Sequence, residues 1–150
     1  MQFSLFEKEV YTRRRSLLKQ KMLSGLLVLM GNEESSMNYK DNWYPFRQDS
    51  NFLYYFGINT ASLTAVIDAD NGEEIIFGNE LTIEDIAWTG PLPSLGEMAA
   101  AVGVAKTQPY NQIESMIRTA IASGRAVHFT PPYRPENKIK LAQWFQIPVD

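Results

Sequence analysis

The chain has 150 residues, of which 45% are hydrophobic and 21% charged, and its formal net charge is −3. This composition fits one globular domain with its own hydrophobic core and excludes a disordered chain, while the negative charge argues against nucleic-acid partners. The sequence contains no cysteine, which excludes disulfides and thiolate metal sites and fits a reducing compartment.

The beginning of the chain predicts one helix followed by one buried strand. Ser4 and Glu7 form a capping-box pattern, and the helix is expected to run to about Met22 with the Arg13-Arg14-Arg15 run on its solvated side. Its buried face is predicted to contain Phe6, Val10, Leu17, Leu18 and Met22. The run from Leu26 to Met30 shows no polar alternation, which predicts a strand buried on both faces. Neither segment resembles a signal peptide or a membrane span, so we expect a cytoplasmic protein.

The middle of the chain predicts a long loop, a short helix and a β-hairpin. Residues 31–48 are rich in Gly, Asn, Ser and Glu, and a loop of that length inside a compact domain is more often functional than idle. Ser50 is expected to cap a short helix that ends at Gly57. Strands are predicted over 63–69 and 74–77, joined by an Asn-Gly turn, which is the strongest short hairpin signal.

The remainder of the chain predicts helices over 94–102, 111–123 and 135–145 and a strand over 126–130. The apolar stripe of the second of these helices is predicted to contain Ile113, Met116, Ile117, Ala120 and Ile121. A shorter helix is expected to begin at Thr82 and to break at the Gly-Pro-Leu-Pro segment. The order of helices and strands predicts an α/β fold, a mixed β-sheet with helices on both faces.

Residues that support chemistry are sparse. The sequence has neither a glycine-rich phosphate loop nor a nucleophile elbow, and its one histidine, His128, falls in a predicted strand. The carboxylates are dispersed, and those of Asp70, Glu73 and Glu74 are expected to be solvated at a hairpin tip. The other candidates for a magnesium or manganese site are Asp41, Asp49, Asp68, Glu84 and Asp85. We therefore expect no catalytic and no metal-binding residue in this chain.

Aromatic side chains surround the polar triplet Arg47-Gln48-Asp49, which a plain core segment would not contain. One interpretation is a structural ion pair that pins the preceding loop against the aromatic helix, because arginine pairs best with a carboxylate. The other is a contact with a neighbouring domain or subunit. Trp88, beside a Thr-Gly-Pro break, raises a similar choice between core packing and an interface. The candidate interface or substrate-access residues are therefore Arg47, Gln48, Asp49 and Trp88.

The same segment resembles a known signature, Tyr-Pro-x-Arg-Gln-x-Ser-x-Phe-x-Tyr-x-x-Gly-Phe, of N-terminal domains in the aminopeptidase P and creatinase family. The positions that match are Tyr44, Pro45, Arg47, Gln48, Ser50, Phe52, Tyr54 and Gly57, with Ile58 in the last position. Residues 86–90 resemble the family's Glu-x-Trp-x-Gly segment, although Ala87 and the Pro-Leu-Pro that follows replace its usual basic residues. The similarity covers roughly residues 4–105.

The resemblance implies a fold similar to ribonuclease H and a place in a two-domain peptidase. Members of the family join such a domain to a C-terminal "pita-bread" domain, which binds two divalent metals, typically manganese, and removes an N-terminal residue that precedes proline. No residue here matches those metal ligands. We therefore expect residues 1–150 to be a single, non-catalytic N-terminal domain without a cofactor of its own. The expected partners are the C-terminal catalytic domain and further copies of the same protein, with no nucleic acid and no membrane.

Alternative functions remain open at this point. The parent activity is either that of an aminopeptidase P, of a prolidase or of a creatinase-like hydrolase. A different class of hypothesis is a free-standing binding or nuclease-like module that uses the ribonuclease H-like fold with its own carboxylates. A third is a domain that activates a separate catalytic chain.

Overall fold

The computed structural model describes residues 6–22, 24–33, 47–79, 94–129 and 135–145. In chain order its elements are α1 (Lys8–Met22), β1 (Leu26–Met30), α2 (Ser50–Phe56), β2 (Thr64–Asp68), β3 (Glu74–Phe77), α3 (Leu95–Ala101), β4 (Lys106–Gln108), a 3-10 turn (Tyr110–Gln112), α4 (Ile113–Ala122), β5 (Val127–Phe129) and α5 (Pro135–Phe145). The helix expected to begin at Thr82 and its proline-rich break lie outside these residues. None of the described helices combines the length and the apolar character that crossing a membrane requires.

The five strands form one mixed sheet in the order β4-β3-β2-β1-β5. The strands β1, β2 and β3 are antiparallel neighbours, while β5 pairs in parallel with β1 and β4 in parallel with β3. The predicted hairpin between β2 and β3 is confirmed, and Gly72 in its turn has a φ of 79°, which glycine adopts without strain. The edge strand β4 was not expected, because Lys-Thr-Gln shows no apolar alternation.

Two hydrophobic clusters cover the two faces of the sheet. Alternate residues of β1 divide between them: Leu27 and Leu29 face one cluster, and Leu26, Val28 and Met30 face the other. The first cluster is completed by α1, α2 and α3, and the second by α4 and α5. The predictions of a doubly buried β1 and of a mixed sheet with helices on both faces are therefore confirmed.

The buried face of α1 differs from the predicted one. Phe6 and Leu17 are half exposed, whereas Tyr11 and Arg15 are buried and Leu18 packs beside them. The spacing of four and three residues between these positions places them on one helical stripe. The expectation that the whole arginine run is solvated was wrong at Arg15, because the helical phase of Arg15 places it on the buried stripe despite its charge.

The N-cap of helix α2 lies one residue earlier than expected. Asp49, and not Ser50, is the N-cap: its Oδ2 accepts a hydrogen bond of 3.0 Å from the backbone N–H of Phe52. The predicted end is confirmed, since Gly57 has a φ of 65° and its N–H donates to the carbonyl of Leu53. A Cβ at Gly57 would lie 2.2 Å from the Tyr11 ring, so close packing as well as backbone conformation requires glycine there.

The second half of the chain follows its predicted pattern with one change in the packing. The helix α3 has the capping box of Ser94 and Glu97, and α4 buries Ile113 and Ile117. Ile121 was expected in the same stripe but is exposed. The buried stripe of α4 runs instead through Ile113, Ile117 and Ala120.

Candidate functional site

Gln48 connects three parts of the fold through its side-chain amide. Its Oε1 accepts hydrogen bonds from the backbone N–H groups of Asn32, at 2.8 Å, and of Asp49, at 3.1 Å. Its Nε2 donates to the carbonyls of Ile58 and Thr60 at 3.0 and 2.8 Å. Both donors and both acceptor positions of the amide are thereby used. The buried Gln48 thus joins the end of β1 to the connection between α2 and β2.

The other two members of the triplet behave differently from each other. The Asp49 carboxylate caps α2, while Arg47 is exposed and contributes its backbone carbonyl, which accepts from Asn32 Nδ2 at 3.1 Å. Within the described ranges no ion pair of the Arg47 guanidinium is seen, and the structural ion pair of the first interpretation stays a prediction. The anchor is the hydrogen bonding of Gln48 and Asn32.

The role of the triplet in an interface stays a prediction. Arg47 is the member whose side chain remains exposed for a partner, and Trp88 lies outside the described residues. The side chains of Gln48 and Asp49 are already engaged within the domain.

A second polar group adjoins the same end of β1, which is its carboxyl end. The ammonium of Lys140 on α5 binds the carboxylate of Glu33 and donates a hydrogen bond of 2.8 Å to the hydroxyl of Tyr110. Glu33 also accepts from the hydroxyl of Ser62. Burial lowers the pKa of Lys140, but the hydrogen bonds to Glu33 and Tyr110 outweigh it and raise that pKa above its ordinary value. The ammonium is therefore charged at neutral pH.

Arg15 is a buried charge that makes three hydrogen bonds. Its Nε donates to Glu74 at 2.8 Å, its Nη1 to the carbonyl of Tyr55 at 2.8 Å and its Nη2 to the carbonyl of Val102 at 2.6 Å. Lys19 lies 3.0 Å from the same Glu74 carboxylate. One guanidinium therefore ties α1 to the ends of α2 and α3 and to β3. The expectation that Glu74 is merely solvated at a hairpin tip was wrong.

Asp70, on the same hairpin, is exposed but paired. Arg125 binds it through Nε at 3.0 Å and through Nη2 at 2.7 Å, and the same Nη2 lies 2.7 Å from buried Asp68. The hydrogen bond from Arg125, followed by that from the Gly25 N–H, lowers the pKa of Asp70. This cluster lies at the amino end of β1, opposite the end that carries Gln48.

Nowhere in the described part of the chain do three His, Asp or Glu side chains come together as ligands for a metal ion. His128 is exposed on β5.

Comparison with known proteins gives the family. The sequence profile described as "Aminopeptidase P, N-terminal domain" matches residues 11–128. The chain belongs to this family. The match includes the Arg47-Gln48-Asp49 triplet and the described strands β1 to β5, and it ends at His128 within β5.

Relatives of this family member are much longer proteins. The human Xaa-Pro dipeptidase is 29% identical over 92 residues, which are 61% of this chain and 19% of that protein. The Xaa-Pro aminopeptidase of Escherichia coli strain K12 is 25% identical over 119 residues, or 76% of this chain and 26% of that protein. The chain thus spans about a fifth to a quarter of the curated relatives that it matches.

Solved structures show that the family fold is the one described above. Aminopeptidase PepP from Pseudomonas aeruginosa superposes with a TM-score of 0.79 at 23% identity, covering 94% of this chain and 32% of that one. Aminopeptidase P from E. coli, in a low-pH form, gives a TM-score of 0.78 at 19% identity, covering 95% and 33%. The creatinase N-domain-like architecture predicted for this chain is confirmed.

Several residues that organise the family domain were not found from the sequence. The helical spacing of Tyr11, Arg15 and Leu18 carried a signal for Arg15. Asn32 and Asn137 gave none, because they are 105 positions apart and meet only in the folded domain.

Proposed function

We propose that this chain is the N-terminal, non-catalytic domain of an Xaa-Pro peptidase, and that it supports subunit assembly and limits access to a catalytic cleft formed by other residues of the parent protein. The observation that carries the proposal is the family match over residues 11–128, together with the finding that this chain covers only about a fifth to a third of its longer relatives. We further propose a cytoplasmic location, which the cysteine-free sequence suits.

The geometry of the signature residues supports a scaffold role. Gln48 and Asp49 use their polar atoms to hold the domain together, and the buried Arg15 serves the same purpose. Arg47 is left with an exposed side chain beside this anchored segment, and a rigid support for an exposed arginine is an arrangement suited to recognising a partner surface. We place the contact with the catalytic domain or a second subunit at Arg47. We include Trp88 in this contact because of its sequence context alone.

The parent reaction that we propose is removal of an N-terminal residue that precedes proline, with two divalent metal ions, such as manganese, bound in the catalytic domain. The described residues of this chain do not fit such a centre, since they include no group of three potential ligands. No step of the reaction is therefore assigned to them.

The test compares this chain with the protein encoded by the complete gene. With Mn²⁺ present, we expect the complete protein to cleave Ala-Pro substrates and the 150-residue chain to show no turnover and no heat of Mn²⁺ binding by calorimetry. Turnover by purified chain alone would contradict the proposal. Mn²⁺ binding that is lost when its carboxylates are replaced would instead favour a nuclease-like module.

The interface residues are tested in the complete protein. Arg47→Ala and Trp88→Ala are expected to change the oligomer mass measured by light scattering or to raise KM for longer peptides, with the urea midpoint unchanged. Arg13→Ala is the matched control, because Arg13 is an exposed arginine on α1. If Arg47→Ala and Trp88→Ala behave as Arg13→Ala does, the assignment of the interface is wrong.

A further inference from the structure

Two buried oxygen atoms lack a hydrogen-bond partner within the described part of the domain. They are Oγ1 of Thr64 on β2, a residue that is fully buried, and Oδ1 of Asn137 on α5, a residue 3% exposed. A buried polar atom without a partner costs about 1–3 kcal/mol, and such atoms in folded proteins are paired with protein groups or with ordered water. Each of the two atoms therefore requires a partner.

The strand register brings the two residues to the same place. Thr64 lies opposite Met30 in the last step of the ladder, and beyond it the Gly31 N–H donates to the Leu63 carbonyl and the Ser62 N–H to the Asn32 carbonyl. Asn32 follows Met30 by two residues and so lies near Thr64, at the end of the sheet face that α5 covers. Asn137 lies on α5, and its Nδ2 donates to Asn32 Oδ1 at 3.1 Å. The two residues with unpaired atoms therefore both lie near Asn32.

The hydrogen bonds around Asn32 determine which atom of the Asn137 amide remains without a partner. Asn32 Nδ2 donates to the Arg47 carbonyl, so Asn32 Oδ1 faces Asn137 and requires a donor. Asn137 must present Nδ2 to it, and its own Oδ1 is then an acceptor in need of a donor. The Thr64 hydroxyl can donate or accept. A water molecule meets both requirements, and it is small enough for a site where both residues are almost completely buried.

We propose that one buried water molecule binds between Asn137 and Thr64, beneath α5 at the carboxyl end of β1. It donates to Asn137 Oδ1 and forms a second hydrogen bond with the Thr64 hydroxyl. Through Asn32, whose N–H binds Gln48, the hydrated site connects α5 to the signature triplet. Internal water makes about three hydrogen bonds on average, and these two are the ones that the unpaired atoms supply.

A crystal structure of this chain at a resolution that shows ordered water tests the site directly. We expect a single water peak within about 3.2 Å of both Asn137 Oδ1 and Thr64 Oγ1. An empty gap, direct contact between the two side chains, or density for a larger molecule would overturn the proposal.

The sign of a stability change gives an independent test. If water pairs the hydroxyl, Thr64→Val is expected to raise the unfolding equilibrium constant about two- to tenfold, the effect of losing one ordinary hydrogen bond, and Thr64→Ser to retain the water peak. If the hydroxyl is unpaired, Thr64→Val leaves stability equal or higher, because valine has nearly the same shape and no polar atom. Thr119→Val, at an exposed position of α4, controls for the general effect of the substitution. Equal or higher stability of Thr64→Val relative to this control would refute the proposal.

Discussion

Replacing Arg15 with methionine removes a buried guanidinium while keeping much of the apolar length of the side chain. The change deletes the hydrogen bonds to the carbonyls of Tyr55 and Val102 and the ion pair with Glu74. Glu74 keeps one cation, since the Lys19 ammonium lies 3.0 Å from its carboxylate. The main loss is therefore at the two carbonyls, each of which is left without its donor.

The expected loss of stability follows from these contacts. A carbonyl left unsatisfied in a buried position costs about 1–3 kcal/mol, and breaking a buried charge pair by removing one partner costs about 3–5 kcal/mol. Because Lys19 compensates part of the second effect, we expect Arg15→Met to lower the free energy of unfolding by about 3–4 kcal/mol. For a domain of this size that corresponds to roughly 10 °C in Tm. Arg15→Lys retains the charge but not the fork of donors, and should lose about 2 kcal/mol.

Urea unfolding followed by tryptophan fluorescence and circular dichroism measures these differences. Arg13→Met is the matched control, because Arg13 is exposed on the same helix and its replacement should change stability by less than about 0.5 kcal/mol. If Arg15→Met lies within about 1 kcal/mol of the wild type, the guanidinium does not hold α1, α2 and α3 together as argued.

Three further predictions concern single contacts. Gly57→Ala, which forces a Cβ into a tyrosine ring at positive φ, should destabilise the domain by at least about 2 kcal/mol in urea unfolding. Gly72→Ala, also at positive φ but with nothing within 4 Å, should cost about 1 kcal/mol, and equal losses would show that the packing is irrelevant. Asp49→Ala should lower the free energy of unfolding by about 1 kcal/mol through loss of the N-cap, and Asp49→Ser should lower it much less. Equal losses for the two variants in the same unfolding curves would contradict this role of Asp49. Because the pKa of Asp70 is lowered in the folded state, its pairing stabilises above the ordinary carboxyl pKa and is lost as the pH falls through the lowered one. Asp70→Asn should therefore flatten the acid limb of stability against pH, and Arg125→Met should do likewise; unchanged acid limbs would refute the pairing.

The elements that the sequence predicted are those whose cause is local. The strand β1 follows from an uninterrupted apolar run, the β2–β3 turn from Asn-Gly, and the end of α2 from Gly57. The strand β4 was missed because its three residues, Lys106–Gln108, form an edge that owes its pairing to β3 and not to its own side chains.

The polar contacts divide in the same way. The sequence located the cap of α2 to within one residue, at Ser50 where the structure has Asp49, because capping depends on neighbours three residues away. The contact of Asn32 with Asn137 depends on how α5 packs across the sheet. No pattern of nearby residues encodes such a contact, and the signature triplet alone did not reveal that Gln48 is its structural centre.

The parallel pairing of β1 with β5 has a consequence for folding kinetics. In the three-stranded meander of β1, β2 and β3, Leu27 pairs with Ile67 of β2. Leu27 also pairs with His128 of β5, roughly 100 residues later in the chain. Closing the longer loop between β1 and β5 costs more chain entropy, and this cost precedes the formation of stabilising contacts. We therefore expect the three-stranded meander to assemble early and β5 to dock in a late, slower step. Mutations in β5 would then chiefly accelerate unfolding, while those in β1 would also retard refolding.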